Sequence, residues 1–234
     1  ASASVIVTSY SRLASEPLGF DDRNLYVATS AMPTGGTATP ADRFAKQTDA
    51  LQAIRRDHPD QIFEASSCSI VQAECRSASG LVEATSGNLN VVGTPIVRGR
   101  MFTRDEERGH ARVAIVSAGV ASVRWPEQDP VGRRLDTPDG STLEVIGVTA
   151  DIRQRRDATA ASMVLVPWGT LRDGTMSIVT RTPAGLEAVH QAVAAAVRPL
   201  LPDARITVSQ VSDRALVTPR MLAACVFASA ITSA

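Results

Sequence analysis

Two β-α-β patterns, one near each end of the chain, constrain this fold more than any other feature of the sequence. Near the start, Asn24–Met32 is rich in strand-forming residues, with Leu25, Val27 and Thr29 on one face. A Gly/Thr/Pro loop follows over Pro33–Pro40. From Ala41 to Asp57, Phe44, Thr48, Leu51 and Ile54 recur at helical spacing, and Arg55 and Arg56 stand where cations favour a helix C-terminus. Pro59 ends that helix, and Gln61–Ile70 reads as a second strand. Toward the other end the pattern returns. Thr175–Thr182 reads as a strand, and Leu186, Val189, Val193 and Val197 mark an amphipathic helix stopped by Pro199. Arg205–Val211 is the last strand, with Ile206, Val208 and Val211 alternating imperfectly. Right-handed crossovers bring two such units into one sheet backed by two helices, a split β-α-β arrangement that both chain ends build together.

Between them, Leu81–Pro167 has a different texture of short strands and tight turns. The strand candidates are Ile96–Arg98, Val113–Val116, Arg134–Asp136, Thr142–Asp151 and Met163–Pro167, and Ala118–Arg124 is a short helix ending near Trp125-Pro126. Thr137-Pro138-Asp139-Gly140 predicts a hairpin turn, with proline preset in φ and glycine free to take positive φ. The fold class expected is α+β: an α/β subdomain from 24–80 and 168–217, interrupted by a mostly β subdomain over 81–167.

Composition narrows the function by exclusion. Formal net charge is zero and aromatics make up 4%, against the basic surface and stacking rings that nucleic acid needs. Lys46 is the only lysine and follows no glycine loop, so the chain cannot hold ATP in the P-loop manner. There is no G-x-S-x-G elbow, H-E-x-x-H helix or G-x-G-x-x-G fingerprint. Cys68, Cys75 and Cys225 make no C-x-x-C pair and have no histidine at metal-ligand spacing. His190 sits beside the apolar stripe of its helix, His110 in a charged, solvated loop, and His58-Pro59-Asp60 is a helix stop. The plentiful serines and aspartates could be imagined into a triad with a histidine, but nothing supports one. The expectation is a chain without catalytic residues, cofactor or metal. Arg98, Arg100, Arg104, Arg108 and Arg112 are interrupted by Asp105, Glu106 and Glu107, which reads as a mixed-charge loop, with Arg100 pairing to a carboxylate.

The most specific signals are Gly99-Arg100-x-Phe102 and Trp125-Pro126-x-x-Asp129-Pro130-x-Gly132. Phe102 and Trp125 can anchor a small β core, and Pro126, Pro130 and Gly132 punctuate a turn back to the sheet. They lie within Asn90–Glu106 and Trp125–Arg133. Together with Val113–Ser117 and Val145–Arg153, these segments closely resemble the extracytoplasmic core domain of MacB/FtsX-type ABC transporter permeases, particularly long permeases that carry the domain twice. The resemblance covers nearly the whole chain. Glu16–Asp22 looks like the exit from a membrane helix and Leu216–Ala230 like the entry into the next; 218–234 holds the start of a span, which needs about 20 apolar residues when complete.

That resemblance implies a porter-like α/β module, a distal β-rich lobe, a membrane-proximal segment over 1–23, and a place on the extracytoplasmic side of the cell membrane. It implies as partners the permease's own membrane helices, a separate ABC ATPase subunit or domain, and a second permease copy or an extracytoplasmic protein. The implied role is relay of ATP-driven motion for export or signalling, without catalysis. Two rivals remain: a solute-binding or adaptor module, told by an apolar cleft with convergent polar groups between the subdomains, and a hydrolase with an atypical site, told by a perturbed histidine or carboxylate in such a cleft. In that oxidising location Cys68 and Cys75, with six residues between them in a polar stretch, are expected to form a disulfide. Phe63–Gly80, which holds both, is longer and more polar than the family pattern. An insertion joined only by crossings near Gly80 and Pro167 would tilt against the α/β subdomain as a rigid body.

Overall fold

The computed structural model describes residues 18–31, 39–68, 70–71, 81–138, 140–153, 162–170 and 176–211. The expectations for 1–17 and 212–234, including the start of a membrane span, lie outside the described residues. Within them, no helix is long and apolar enough to cross a membrane.

The first unit runs β1 (Leu25–Ala31), α1 (Pro40–Asp57), β2 (Phe63–Ser66). Thr39 caps α1 through a reciprocal box: its hydroxyl accepts from the Asp42 N–H at 3.1 Å, and the Asp42 carboxylate accepts from the Thr39 N–H at 3.2 Å. Pro40 opens the helix, where its missing N–H costs nothing. His58 closes it. The last unit runs β9 (Met176–Arg181), α5 (Leu186–Val197), β10 (Arg205–Gln210). In α5, Val189, Val193 and Val197 are buried as the stripe requires, whereas Leu186 is 43% exposed. Leu186 is the first helical residue, ahead of the turns that pack on the sheet.

These strands lie in the order β10-β1-β9-β2, each antiparallel to its neighbour. β1 and β2 are both antiparallel to β9 and so run parallel, with β9 between them; β9 and β10 likewise flank β1. Each helix therefore crosses one intervening strand, the split β-α-β layout. Tyr26, Ala28, Phe63, Ala65, Met176 and Ile178 form the face that α1 and α5 cover.

The sheet continues through β3 (Leu81–Ala84), β8 (Val164–Pro167), β5 (Val113–Ser117), β7 (Thr142–Thr149) and β4 (Ile96–Gly99), with β6 (Arg134–Asp136) paired to β7. The β6–β7 hairpin closes at Thr137, whose N–H donates to Ser141 O at 2.9 Å, with Gly140 at φ +81°. One face of this end packs Ala114, Val116, Leu143, Val145 and Val166 under α4 (Ala118–Arg124).

Three features depart from the sequence reading. The second strand is Phe63–Ser66 only, and β3 follows it. Two five-residue helices occur, α2 (Asn88–Val92) and α3 (Arg104–Arg108), where loops were expected. A run of five shows too little periodicity to recognise. The third departure concerns the join. β2 and β3 share a single register pair, Ser66↔Ala84, but one core underlies both ends of the sheet. Leu25, Val27 and Val179 from the α/β end pack with Val82, Leu89, Phe102, Ile115, Ile146 and Leu165 from the other. The insertion does not hang from two crossings alone.

Candidate functional site at the join of the two sheet halves

Arg181 stands at the end of β9 and gathers backbone carbonyls from two other parts of the chain. Its guanidinium donates to Val91 O at 3.2 and 3.0 Å, Val92 O at 3.2 Å, Asp21 O at 2.6 Å and to Arg23 O. The five N–H groups of arginine, held in one plane, suit such a cage. The Asp21 carboxylate lies 3.5 Å from Arg181 and accepts a bond from the Arg23 side chain at 3.0 Å. The Arg23 hydrogen bond, with help from the Arg181 charge, holds the Asp21 carboxyl down at about 2.

The residues before β1 are bound along the same seam. Leu18, buried, accepts at its carbonyl from the Arg153 N–H at 2.8 Å, and the Asp21 N–H donates to Val92 O at 3.2 Å. Gly19 adopts φ +80° against the Asp151 carbonyl, where a Cβ would overlap that oxygen. Phe20 packs on the shared core.

Beneath the β2–β3 join lies a buried carboxylate. Glu64, 7% exposed, pairs with Arg55 at 2.5 Å and receives the Thr85 hydroxyl. Arg55 also donates to Phe63 O at 2.8 Å, and Asn88 Nδ2 to Ala65 O at 3.3 Å. Gly87 leaves room for the carboxylate; a Cβ there would overlap Glu64 Oε1. Beside it opens a groove of about 840 Å³, lined among others by His58, Asp60, Glu64, Asn90, Arg104 and Arg181. The lining mixes these charged and polar groups with Pro59, Ile62, Val91 and Pro183.

The sequence-derived motif residues have structural surroundings. Gly99 ends β4 at φ +70°, its α-carbon against the Ile146 carbonyl. Arg100 forms a bidentate pair with Glu106 at 2.8 and 2.7 Å, and that hydrogen bonding holds the Glu106 carboxyl at about 2. Glu106 also completes the capping box of α3 with Thr103, so the expected mixed-charge loop is a helix. Phe102 is buried in the shared core and Trp125 half-buried beside α4. After Pro126, Asp129 accepts from the Val131 N–H at 3.0 Å, buried Pro130 accepts from Arg133, and Gly132, at φ +82°, donates to Val145 O at 2.7 Å. These return the chain to β7. Cys68 is disulfide-bonded and packs on the shared core; Cys75 lies outside the described residues. His58 is the C-cap of α1, with its ring 5.9 Å from Phe63. His110, expected to be solvated, is exposed but has its ring against Gly169.

The two carboxyls held near 2 are bound by arginines, the reverse of the raised carboxyl a general acid needs. Neither lines the groove. Among the described residues, no group of His, Cys, Asp and Glu could hold a metal ion.

The family model for the MacB-like periplasmic core domain matches residues 2–196. No curated protein matches the chain. Among solved structures, the periplasmic region of MacB from Actinobacillus actinomycetemcomitans aligns with TM-score 0.58 at 15% identity, over 86% of this chain and 95% of that one. A domain assigned to a permease from Porphyromonas gingivalis aligns with TM-score 0.51 at 14% identity, over 87% and 97%. The extracellular domain of the noncanonic ABC-type transporter YknZ from Gram-positive bacteria aligns with TM-score 0.48 at 15% identity, over 78% and 99%. With a family model matched over most of its length and the same fold in the MacB periplasmic region, the chain belongs to the MacB-like periplasmic core domain family of ABC transporter permeases.

Proposed function

We propose that this domain relays ATP-driven movement of a permease's membrane helices to the extracytoplasmic side, for export or signalling, and performs no chemistry itself. Its partners are then the permease helices, an ABC ATPase subunit or domain that supplies the energy, and a second permease copy or extracytoplasmic protein that receives the motion. One observation carries the reading. β1 and β10 are hydrogen-bonded neighbours over six residue pairs, with Tyr26 opposite Gln210. The chain therefore enters β1 and leaves β10 side by side, at one end of the sheet. Helices attached there would act on adjacent strands, and strands in register transmit displacement without slack.

We divide the domain into a porter-like part, 24–80 with 168–217, and an insertion, 81–167. The core common to Leu25, Val179, Ile115 and Leu165 supports movement of both as one body rather than the hinged tilting first expected. Cys68 is assigned to Cys75 in an extracytoplasmic disulfide.

The test is to introduce slack. Flexible Gly/Ser segments inserted before Leu18 and after Val211 leave the described sheet unchanged but absorb displacement. In the permease carrying the domain, reconstituted with its ATPase, transport is expected to fail while ATP turnover persists. Undiminished transport through slack linkers rejects the relay and makes the domain a passive docking surface.

A further inference from the structure

Leu18–Arg23 does not merely lead into β1. At its start, Leu18 O holds the Arg153 N–H at 2.8 Å, just beyond β7. Gly19 lies against the Asp151 carbonyl. The Asp21 N–H binds Val92 O, at the end of α2, at 3.2 Å. Asp151, Arg153 and Val92 all belong to the insertion. Arg181, from β9, then closes over the crossing, donating to Asp21 O and Arg23 O on one side and to Val91 O and Val92 O on the other. The exit side has a different grip. β10 pairs with β1 alone, at the edge of the sheet.

We propose that Leu18–Arg23 is a strap delivering force from the N-terminal approach directly to the insertion, with Arg181 as the positioning residue that keeps it seated throughout transport. The proposal rests on the relay reading and adds its route. Force from the entry side reaches the end of α2, the end of β7 and the end of β9 together through hydrogen bonds, whereas the exit side is held by the pairing of β10 with β1 and by Val211 in the shared core. Relative movement of the two approaches thus loads the join, not just the porter-like sheet. The seat is made of backbone carbonyls, so strap and insertion can separate only by leaving Arg181 donors unpaired.

A covalent substitute tests this. A Cβ at Gly93, which sits at φ +80°, would stand 3.1 Å from the Asp21 Cβ, just short of the disulfide range of about 3.5–4.5 Å, so the backbone must give slightly to take the bridge. In the reconstituted permease, Arg181→Ala is expected to lose transport while ATP turnover persists, and hydrogen exchange at Val92–Thr94 and Ile152–Arg153 to quicken. Adding Asp21→Cys and Gly93→Cys to Arg181→Ala should restore transport under oxidation and lose it again on reduction. Arg181→Ala alone, with and without reductant, controls for the disulfide at Cys68. With Arg181 intact, the cysteine pair should transport in both redox states. A block in the oxidised state shows that the strap must release and overturns the proposal. So does a loss of transport that the tether fails to restore, which reduces Arg181 to a folding role. Normal transport by Arg181→Ala, in a permease that slack linkers disable, removes the strap and leaves the relay standing. Normal transport by both removes the relay itself.

Discussion

Removing the cation from the buried pair under the β2–β3 join gives a sharp test of what supports Glu64, the carboxylate that takes the Thr85 hydroxyl across the join. Arg55→Met keeps the stem that packs on β2 but leaves the Glu64 carboxylate with only the Thr85 hydroxyl. Breaking a fully buried ion pair costs about 3–5 kcal/mol. Glu64's side chain is 9% exposed but Arg55's is 33%, so water can partly replace the guanidinium, and the expected loss falls to about 2–3 kcal/mol. At about 2–4 °C per kcal/mol for a chain of this size, Tm should drop by about 4–12 °C. Glu64→Gln preserves the shape beside Gly87 and removes the charge that needs the cation. The double variant Arg55→Met/Glu64→Gln should therefore lose less than the two single losses summed, by about 1–2 kcal/mol. Urea denaturation of the four proteins, read as midpoints at constant m, measures the cycle. Additive losses, or a loss below about 0.5 kcal/mol for Arg55→Met, would mean that the pair behaves as an exposed one and does not hold Glu64 in place under the join.

Three further outcomes follow from the geometry. Gly99→Ala should cost about 1–3 kcal/mol, more than Gly132→Ala: both glycines have positive φ, but only the first would drive a Cβ into a carbonyl, that of Ile146, while nothing lies within 4 Å of the second. Asp21 and Glu106 titrate at about 2 when folded and near about 4 when unfolded, so their stabilisation is complete above about pH 5 and fades as pH falls through the folded values. Denaturation midpoints should hold steady from neutral pH to about 5 and then decline, with a shallower decline in Asp21→Asn and Glu106→Gln. Non-reducing mass spectrometry should find the Cys68 and Cys75 peptides linked, a bridge contributing about 2–3 kcal/mol at most; both thiols alkylating without denaturant would exclude it.

Much of the fold was legible in the sequence because its signals are local. Leu51 and Ile54, and Val189, Val193 and Val197, declared the two covering helices by spacing, and Thr137 to Gly140 declared the hairpin by turn chemistry. Leu81–Ala84 escaped because all four of its residues are buried, leaving no alternation to read. The Arg100–Glu106 pair was within reach, since Thr103-x-x-Glu106 is a capping box and the partners are six residues apart. The Arg181 cage was not. Its acceptors are backbone carbonyls, which carry no residue signature, and Asp21 is 160 residues away. The shared core escaped for a similar reason: Val179 and Leu165 read as ordinary strand residues, and only the strand order places them under one surface.

The relay is tested most directly by distance measurements between spin labels in the reconstituted permease. Val97 on β4 is 53% exposed at the far edge of the insertion, and Arg205 is exposed at the start of β10 on the opposite edge. Labels at Val97 and in the membrane-embedded part of the permease should change separation between the nucleotide-free and ATP-bound states, while the Val97–Arg205 separation stays constant. A Val97-to-membrane distance that is the same in both states, during active transport, would contradict the account.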